Sequence, residues 1–315
     1  MAFIRVPGNP EPDGAVEEWF EGRGGIKLRA LFAPSRTSPP RGSVLVCNGR
    51  TEFIEKYFEV LRELQQRGFC VFTMDWRGQG LSDRLLPNPL KGHFESMDDP
   101  VNDLAMVLKS LADRLPRPHI VLAHSMGGCI ALRAMQTRRI EVEGAIFSAP
   151  MWGIANLSPT ARKFARFVKS IGLGGWFAPG VAKTWRRERF KRNPLTHDKT
   201  RFALSQALVE EDRRVALAGV TLGWVDAAAE AFEGFSQPGS LAHLRIPVHV
   251  MSAGEEALVD NNSHDALAKS LPNAMHVLVE GSKHEILMEV DGVRAQFWRE
   301  FEELIARMGP SSPRV

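Results

Sequence analysis

Between residues 43 and 148 the sequence alternates short apolar runs with helical patterns, and this alternation restricts the fold more than any other feature. Several runs are continuously apolar and rich in β-branched residues, as in strands buried on both faces. Strands separated by helices predict a mostly parallel sheet with right-handed crossovers. The predicted strands cover residues 16–21, 26–32, 43–47, 69–74, 119–123, 143–148, 247–252 and 274–280, and the first two form an antiparallel hairpin at the sheet edge. The predicted helices cover residues 55–67, 99–115, 126–137 and 289–308.

A long insertion interrupts this pattern. The alternation stops after Pro150 and resumes at Pro247, and the intervening segment shows helical patterns without a clear strand. We therefore predict an α/β core formed by residues 1–150 and 237–315, with an insertion of residues 151–236. Within the insertion, residues 161–192 carry ten Lys or Arg against one acidic residue, interleaved with aromatic residues. These charges either contact anionic lipid head groups or form a solvated face above an aromatic core.

The segment IVLAHSMGGCIAL contains the strongest candidate for a catalytic residue. An apolar strand ends just before Ser125, and a helix-forming run starts at Met126. A serine on such a sharp turn is the nucleophile elbow of serine hydrolases, which requires small residues two positions before and after it. Ala123 and Gly127 meet this requirement, with alanine in place of the usual first glycine. We predict that Ser125 is a nucleophile; the alternative is an ordinary helix N-cap.

The partners of this serine are predicted from chain order. A serine hydroxyl needs a base to remove its proton and an acid to orient that base, and elbow enzymes carry them in the order serine, acid, histidine. Of the nine histidines, His284 in GSKHEIL lies in a loop after the final predicted strand. Three carboxylates follow the preceding strand: Glu255, Glu256 and Asp260. Glu256 lies in the tight turn and is the predicted acid, with Asp260, which is suited to cap the next helix, as the alternative.

Backbone amides are expected to stabilise the negative oxygen that forms in the transition state. In an elbow enzyme one donor is the N–H of the residue after the nucleophile, which here is Met126, and the other comes from the loop after the third strand. That loop reads CNGRTEF, and Gly49 permits a turn that exposes the N–H of Arg50. We predict Arg50 and Met126 as the oxyanion hole. The Arg50 guanidinium is then available for another role, such as pairing with Glu52 or Glu55.

Composition excludes several other functions. The net charge of +3 is too small to indicate a nucleic-acid partner. The three cysteines lie in or beside apolar runs and fit no metal-binding spacing, so we predict neither a metal nor an organic cofactor. No stretch approaches the ~18 apolar residues of a membrane span, and the N-terminus lacks the apolar core of a signal peptide. A cytoplasmic protein is expected, either free or peripheral to the inner face of a membrane.

Six segments together resemble the lysophospholipase and monoacylglycerol lipase branch of the α/β-hydrolases. They are NGRTEFIEKY, DWRGQGLSDR, GHFESMDDPVNDL, AHSMGG, AGEEALVDN and GSKHEIL, spread from residue 48 to residue 287. The resemblance departs at two positions: Asn48 stands where many relatives carry histidine, and a glutamate replaces the commoner aspartate as the acid.

The resemblance implies an α/β-hydrolase fold, with a mostly parallel central sheet, an antiparallel edge, flanking helices and the insertion as a helical cap. It also implies that Ser125, Glu256 and His284 form the catalytic triad, that Arg50 and Met126 form the oxyanion hole, and that the substrate is a lysophospholipid or monoacylglycerol. Other readings are a general carboxylesterase, thioesterase or peptidase on the same fold, and a non-catalytic lipid-binding relative.

Overall fold

A computed structural model describes residues 3–309 and contains one eight-stranded sheet. Its strand order is β1-β2-β4-β3-β5-β6-β7-β8; β1 and β2 pair antiparallel, β2 pairs antiparallel with β4, and all other neighbours are parallel. The sequence-based prediction of a mostly parallel sheet with an antiparallel edge is therefore confirmed. The strands are β1 Val16–Glu21, β2 Lys27–Ala33, β3 Gly42–Cys47, β4 Phe69–Met74, β5 His119–His124, β6 Gly144–Ser148, β7 Val248–Ala253 and β8 Ala274–Val279.

Helices cover both faces of the sheet because alternate strand residues point to opposite sides. In β3, Val44 and Val46 pack in an apolar layer on one face of the sheet, while Leu45 packs in the layer on the other face. Each buried aliphatic side chain contributes about 1.5–3 kcal/mol. The helices of the core are α1 Phe58–Gln66, α2 Asp98–Ser110, α3 Met126–Gln136, α7 Asn261–Ser270 and α8 Asp291–Met308.

The chain between β6 and β7 is helical, and it forms α4 Pro159–Val168, α5 Lys199–Glu211 and α6 Leu222–Phe235. Each of these helices has a polar N-cap, because Ser158, Asp198 and Thr221 accept hydrogen bonds from the first-turn amides. Helix α4 packs against α6, which also contacts α3 of the core.

One side of α4 and the turn after it remain uncovered. Phe164, Phe167, Ile171 and Trp176 are each about half exposed, and together we call them the apolar patch. The buried side of α4 is formed by Ala165 and Val168. Only some of the aromatic residues of the insertion therefore contribute to a buried core. Within residues 3–309, no helix is both long enough and apolar enough to cross a bilayer.

Candidate active site

Ser125 lies on the sharp turn that joins β5 to α3. Its backbone has φ 48° and ψ −119°, a conformation that a non-glycine residue adopts at a cost of about 1–3 kcal/mol. A methyl group at position 127 would collide with the carbonyl oxygen of Cys47, and one at position 128 would lie 2.6 Å from the side chain of Pro150. Gly127 is thus required because the first turn of α3 lies against the end of β3.

His284 lies beside this serine and is held there by the insertion. Its Nε2 is 3.0 Å from Ser125 Oγ, and both side chains are almost fully buried. Residues of the insertion hold the loop that carries the histidine. The N–H of His284 donates to the carbonyl of Pro194, and the N–H of Glu285 donates to the carbonyl of Leu195. Thr196 Oγ1 donates to the carbonyl of Met288 at the other end of the loop.

Glu256, rather than Asp260, is the carboxylate that contacts this histidine. Its Oε2 lies 2.7 Å from His284 Nδ1, while Oε1 accepts the amides of Ala257 and Leu258 at 2.9 and 2.7 Å. Burial by itself raises the pKa of Glu256, but the hydrogen bonds from the histidine and the backbone outweigh it, and the pKa lies below its usual value. Asp260 instead caps α7, where it accepts the N–H of Asn262.

Two amides near the site have no internal acceptor among residues 3–309. In the loop after β3, the N–H of Gly49 donates to Glu52 and the N–H of Thr51 donates to Gln79 Oε1 at 3.0 Å. Neither the N–H of Arg50, which lies between them, nor that of Met126 has an acceptor within residues 3–309. Side chains therefore fix the loop on both sides of Arg50 and leave its amide available.

A buried charged cluster supports this loop, and the sequence analysis did not identify it. Glu52 accepts from Tyr57 Oη at 2.7 Å, and the ammonium of Lys56 lies 2.8 Å from Glu52 and 2.6 Å from Glu285. Glu52, His124 and Glu285 bring potential ligand atoms within 4.8 Å of one another. Lys56 is the cation of this cluster, because its ammonium group already bonds the carboxylates of Glu52 and Glu285.

His124 packs directly against the candidate base. Its ring centroid lies 4.8 Å from that of His284, and its Nδ1 lies 2.9 Å from the carbonyl of Ser148. Burial lowers the pKa of His124 to about 4, so the ring is neutral at pH 7 and does not place a second positive charge beside His284. The residue that precedes the serine therefore packs beneath the site in an uncharged form.

The predicted pairing of the Arg50 guanidinium is wrong. Glu52 is bound by Lys56 and Tyr57, and Glu55 forms an ion pair with the buried Arg29. Arg50 instead reaches across to the insertion, where its Nη1 donates to the carbonyl of Ala218 at 2.9 Å. The side chain thus lies between the sheet and the insertion.

Two buried histidines are expected to make the fold acid-sensitive. Burial lowers the pKa of His124 and of His264 to about 4, whereas an unfolded histidine titrates near 6.5. Between these values the unfolded chain binds protons that the folded chain does not, so the free energy of unfolding falls as the pH drops from 6.5 toward 4. We expect a loss of about 2 kcal/mol per histidine at pH 5, measured by urea denaturation at pH 7.5 and pH 5.0.

A pair of variants separates this effect from general acid sensitivity. His264→Gln should reduce the pH dependence of the unfolding free energy, whatever its effect on stability at pH 7.5. His243→Gln changes a less buried histidine and should keep the wild-type dependence. Equal pH dependence in the two variants would contradict the prediction.

The strand–serine–helix turn, the histidine bonded to the serine and the carboxylate bonded to the histidine define a class of protein: a serine hydrolase of the α/β-hydrolase fold. The sequence model of the serine aminopeptidase S33 family matches residues 38–291, and the chain belongs to this family.

Individual relatives are consistent with this family. Lysophospholipase L2 of Escherichia coli K12 is 33% identical over 291 residues, which cover 89% of this chain and 84% of that protein. The monoacylglycerol lipase of Mycolicibacterium smegmatis is 24% identical over 280 residues, covering 87% of this chain and 94% of the lipase. The crystal structure of a soluble variant of monoglyceride lipase from Saccharomyces cerevisiae has a TM-score of 0.76 at 18% identity, covering 98% of this chain and all of that one, which shows a shared fold.

Proposed function

We propose that the protein hydrolyses carboxylic esters through an acyl-enzyme, with Ser125, His284 and Glu256 as its catalytic triad. The observation that carries this proposal is the unbroken chain of hydrogen bonds from Ser125 Oγ through the imidazole to the Glu256 carboxylate. An ordinary helix N-cap would not need a buried imidazole on its hydroxyl. The N-cap alternative is also unsupported because, in the described chain, Ser125 Oγ accepts no hydrogen bond from the first-turn amides of α3.

The geometry accounts for each step of the reaction. His284 Nε2 takes the hydroxyl proton as Ser125 Oγ attacks the ester carbonyl, and Glu256 stabilises the imidazolium through Nδ1–H. The N–H groups of Arg50 and Met126 donate to the oxygen that becomes negative, in a site screened from water. The imidazolium then protonates the leaving alcohol. A water molecule, activated by the same histidine, releases the fatty acid and restores the serine.

Within this chemistry we propose a lysophospholipid as the substrate class. Support comes from the 33% identity to lysophospholipase L2 of Escherichia coli K12, against 24% to a monoacylglycerol lipase. Both relatives act on single-chain lipid esters by name, and the name of the family adds a peptide substrate as the alternative. We further propose that residues 151–236 form a cap that covers the acyl site.

A substrate panel tests the assignment. We expect the purified protein to release fatty acid from lysophosphatidylcholine faster than from monoacylglycerol of the same chain, and to leave an aminoacyl nitroanilide intact. Ser125→Ala serves as the blank. Turnover of the nitroanilide, or activity limited to short nitrophenyl esters, would overturn the lipid assignment and leave the mechanism standing.

We also propose that the cap contacts an anionic membrane surface through the apolar patch. Phe164 and Phe167 lie one helical turn apart, and Lys163 is next to them and exposed. Many basic residues of the cap have no carboxylate partner among residues 3–309; among them are Arg162, Lys163, Lys183, Arg186, Arg189, Lys191 and Arg192. Exposed aromatic groups flanked by unpaired cations suit a negatively charged interface.

Phe167→Ser is expected to weaken binding to phosphatidylglycerol vesicles by about 10- to 100-fold, because a fully inserted phenyl ring contributes about 1.5–3 kcal/mol. Co-sedimentation at low and high salt measures the effect, and salt should weaken the binding of the wild-type protein. Leu278→Ser, at an equally exposed apolar side chain on β8, is the matched control. Equal loss in both variants, or salt-independent absence of wild-type binding, would contradict the membrane contact.

A further inference from the structure

A cavity of about 690 Å³ lies between the core and the insertion, beside the candidate active site. Its core wall includes Arg50 and Glu285, which immediately follows His284, and its outer wall includes Trp185, Leu217 and Val220 of the insertion. This volume is within the range of small-molecule sites, which bury most of a ligand's surface. Neither Ser125 nor His284 lines it, but Arg50 and Glu285 connect its wall to the loops that carry the candidate oxyanion amide and the candidate base.

Arg50 supplies a fixed positive charge in the cavity wall. Its guanidinium has five N–H donors, and the carbonyl of Ala218 is the acceptor for Nη1. No carboxylate forms an ion pair with it within residues 3–309. Burial lowers the pKa of Arg50 to about 10, so the group is still a cation at neutral pH. Most of its donors are thus available to a ligand in the cavity.

The other charges of the cavity are distributed unevenly. Lys56 is neutralised by Glu52 and Glu285, and Arg187 by Glu210. Glu188 has no cationic side-chain partner in the described part of the chain, and its negative charge acts on Arg50. Lys183 and Arg186 are exposed where the cavity opens to solvent. The lining therefore offers one enclosed unpaired cation and one unpaired carboxylate close enough to influence it.

We infer that this cavity binds a zwitterionic glycerophospho head group, with the phosphodiester on Arg50 and the ammonium group on Glu188. The guanidinium matches a phosphodiester because it can donate two parallel hydrogen bonds to phosphate oxygens. A monoacylglycerol has neither charge and would leave both side chains without a ligand. The inference rests on the proposed function. It places the head group in the cavity and makes the side chain of Arg50 a determinant of substrate specificity. The amide of the same residue would donate to the oxyanion.

The experiment compares three substrates with the same oleoyl chain: lysophosphatidylcholine, lysophosphatidate and monooleoylglycerol. We expect Arg50→Met to lower kcat/KM for the two phosphorylated substrates, relative to monooleoylglycerol, by about 10- to 100-fold, as is typical of a lost charged hydrogen bond. Glu188→Gln should lower the preference for lysophosphatidylcholine over lysophosphatidate about 3- to 10-fold. Arg23→Met, which removes an exposed arginine from the hairpin turn, should keep all three ratios.

A binding measurement keeps the test decisive if Arg50→Met is poorly folded. Glycerophosphocholine should inhibit nitrophenyl butyrate hydrolysis by the wild-type enzyme at concentrations where glycerol does not, and Glu188→Gln should raise its inhibition constant. Equal inhibition by glycerol and glycerophosphocholine, or an equal loss on all three lipids in Arg50→Met, would overturn the head-group site. Absence of any lipid hydrolysis by the wild-type enzyme would overturn the proposed function instead.

Discussion

Ser125→Ala is expected to lower kcat for ester hydrolysis by at least about 10⁴-fold, because Ser125 Oγ is the one hydroxyl within residues 3–309 that bonds His284 Nε2, at 3.0 Å. Removing one member of a triad that acts as a unit abolishes nearly the whole contribution of that unit. The residual rate would come from substrate binding and from the two free amides. Initial rates with nitrophenyl butyrate and with a lysophospholipid measure the effect, and labelling by a fluorophosphonate probe should disappear with it.

Ser148→Ala is a matched control for this variant. Ser148 ends β6 beside the elbow, and its buried hydroxyl has no hydrogen-bond partner within residues 3–309. Its carbonyl, which accepts from the amide of Ser125, is unchanged by the substitution. We expect near wild-type activity and probe labelling. Retained labelling in Ser125→Ala would show that another nucleophile carries the reaction.

Glu256→Gln is expected to lower kcat by about 10³- to 10⁴-fold while the protein remains folded. The amide is nearly the same size as the carboxylate, but it is neutral and cannot stabilise the imidazolium that forms on His284. Loss of the charge also removes the preference for the tautomer that places a proton on Nδ1. Single-turnover rates separate this effect on chemistry from an effect on substrate binding.

Asp260→Asn is the comparison that decides between the two acids. Asn is as good an N-cap as Asp, so the hydrogen bond to the amide of Asn262 can persist and α7 should keep its stability. We expect kcat within about threefold of wild type. A larger rate loss in Asp260→Asn than in Glu256→Gln would contradict the acid assignment and indicate that the turn after β7 rearranges during catalysis.

The strands and the residues of the site could be predicted because each has a local signal. The predicted bounds of all eight strands agree with the structure to within one residue. The buried parallel strands are short apolar runs, whereas the edge strands β1 and β8 keep part of their residues exposed. Ser125 and His284 follow from the elbow and from chain order. The position of the tight turn favours Glu256 over Asp260 as the acid, and Glu256 is the carboxylate that contacts His284 in the structure.

The charged groups behind the site had no such signal. Lys56 belongs to a predicted helix with a polar pattern and Glu52 to the loop before it, and charged residues in such segments are normally exposed. The structure buries both, because Glu285, more than two hundred residues away in sequence, supplies the partner that a buried lysine needs. The sequence does not indicate the direction of the Arg50 side chain for the same reason. Its acceptor, the carbonyl of Ala218, lies in the insertion, far from Arg50 along the chain.

The hydrogen bonds that join the histidine loop to Pro194, Leu195 and Thr196 have a consequence for substrate entry. If the whole insertion swung outward to admit a lipid, these bonds would break and His284 would lose its alignment with the nucleophile. We therefore expect residues 194–196 to stay in place during turnover, whatever path a substrate takes to the nucleophile. Part of the insertion would then position the base directly, so its contacts with the histidine loop would matter for catalysis independently of substrate access.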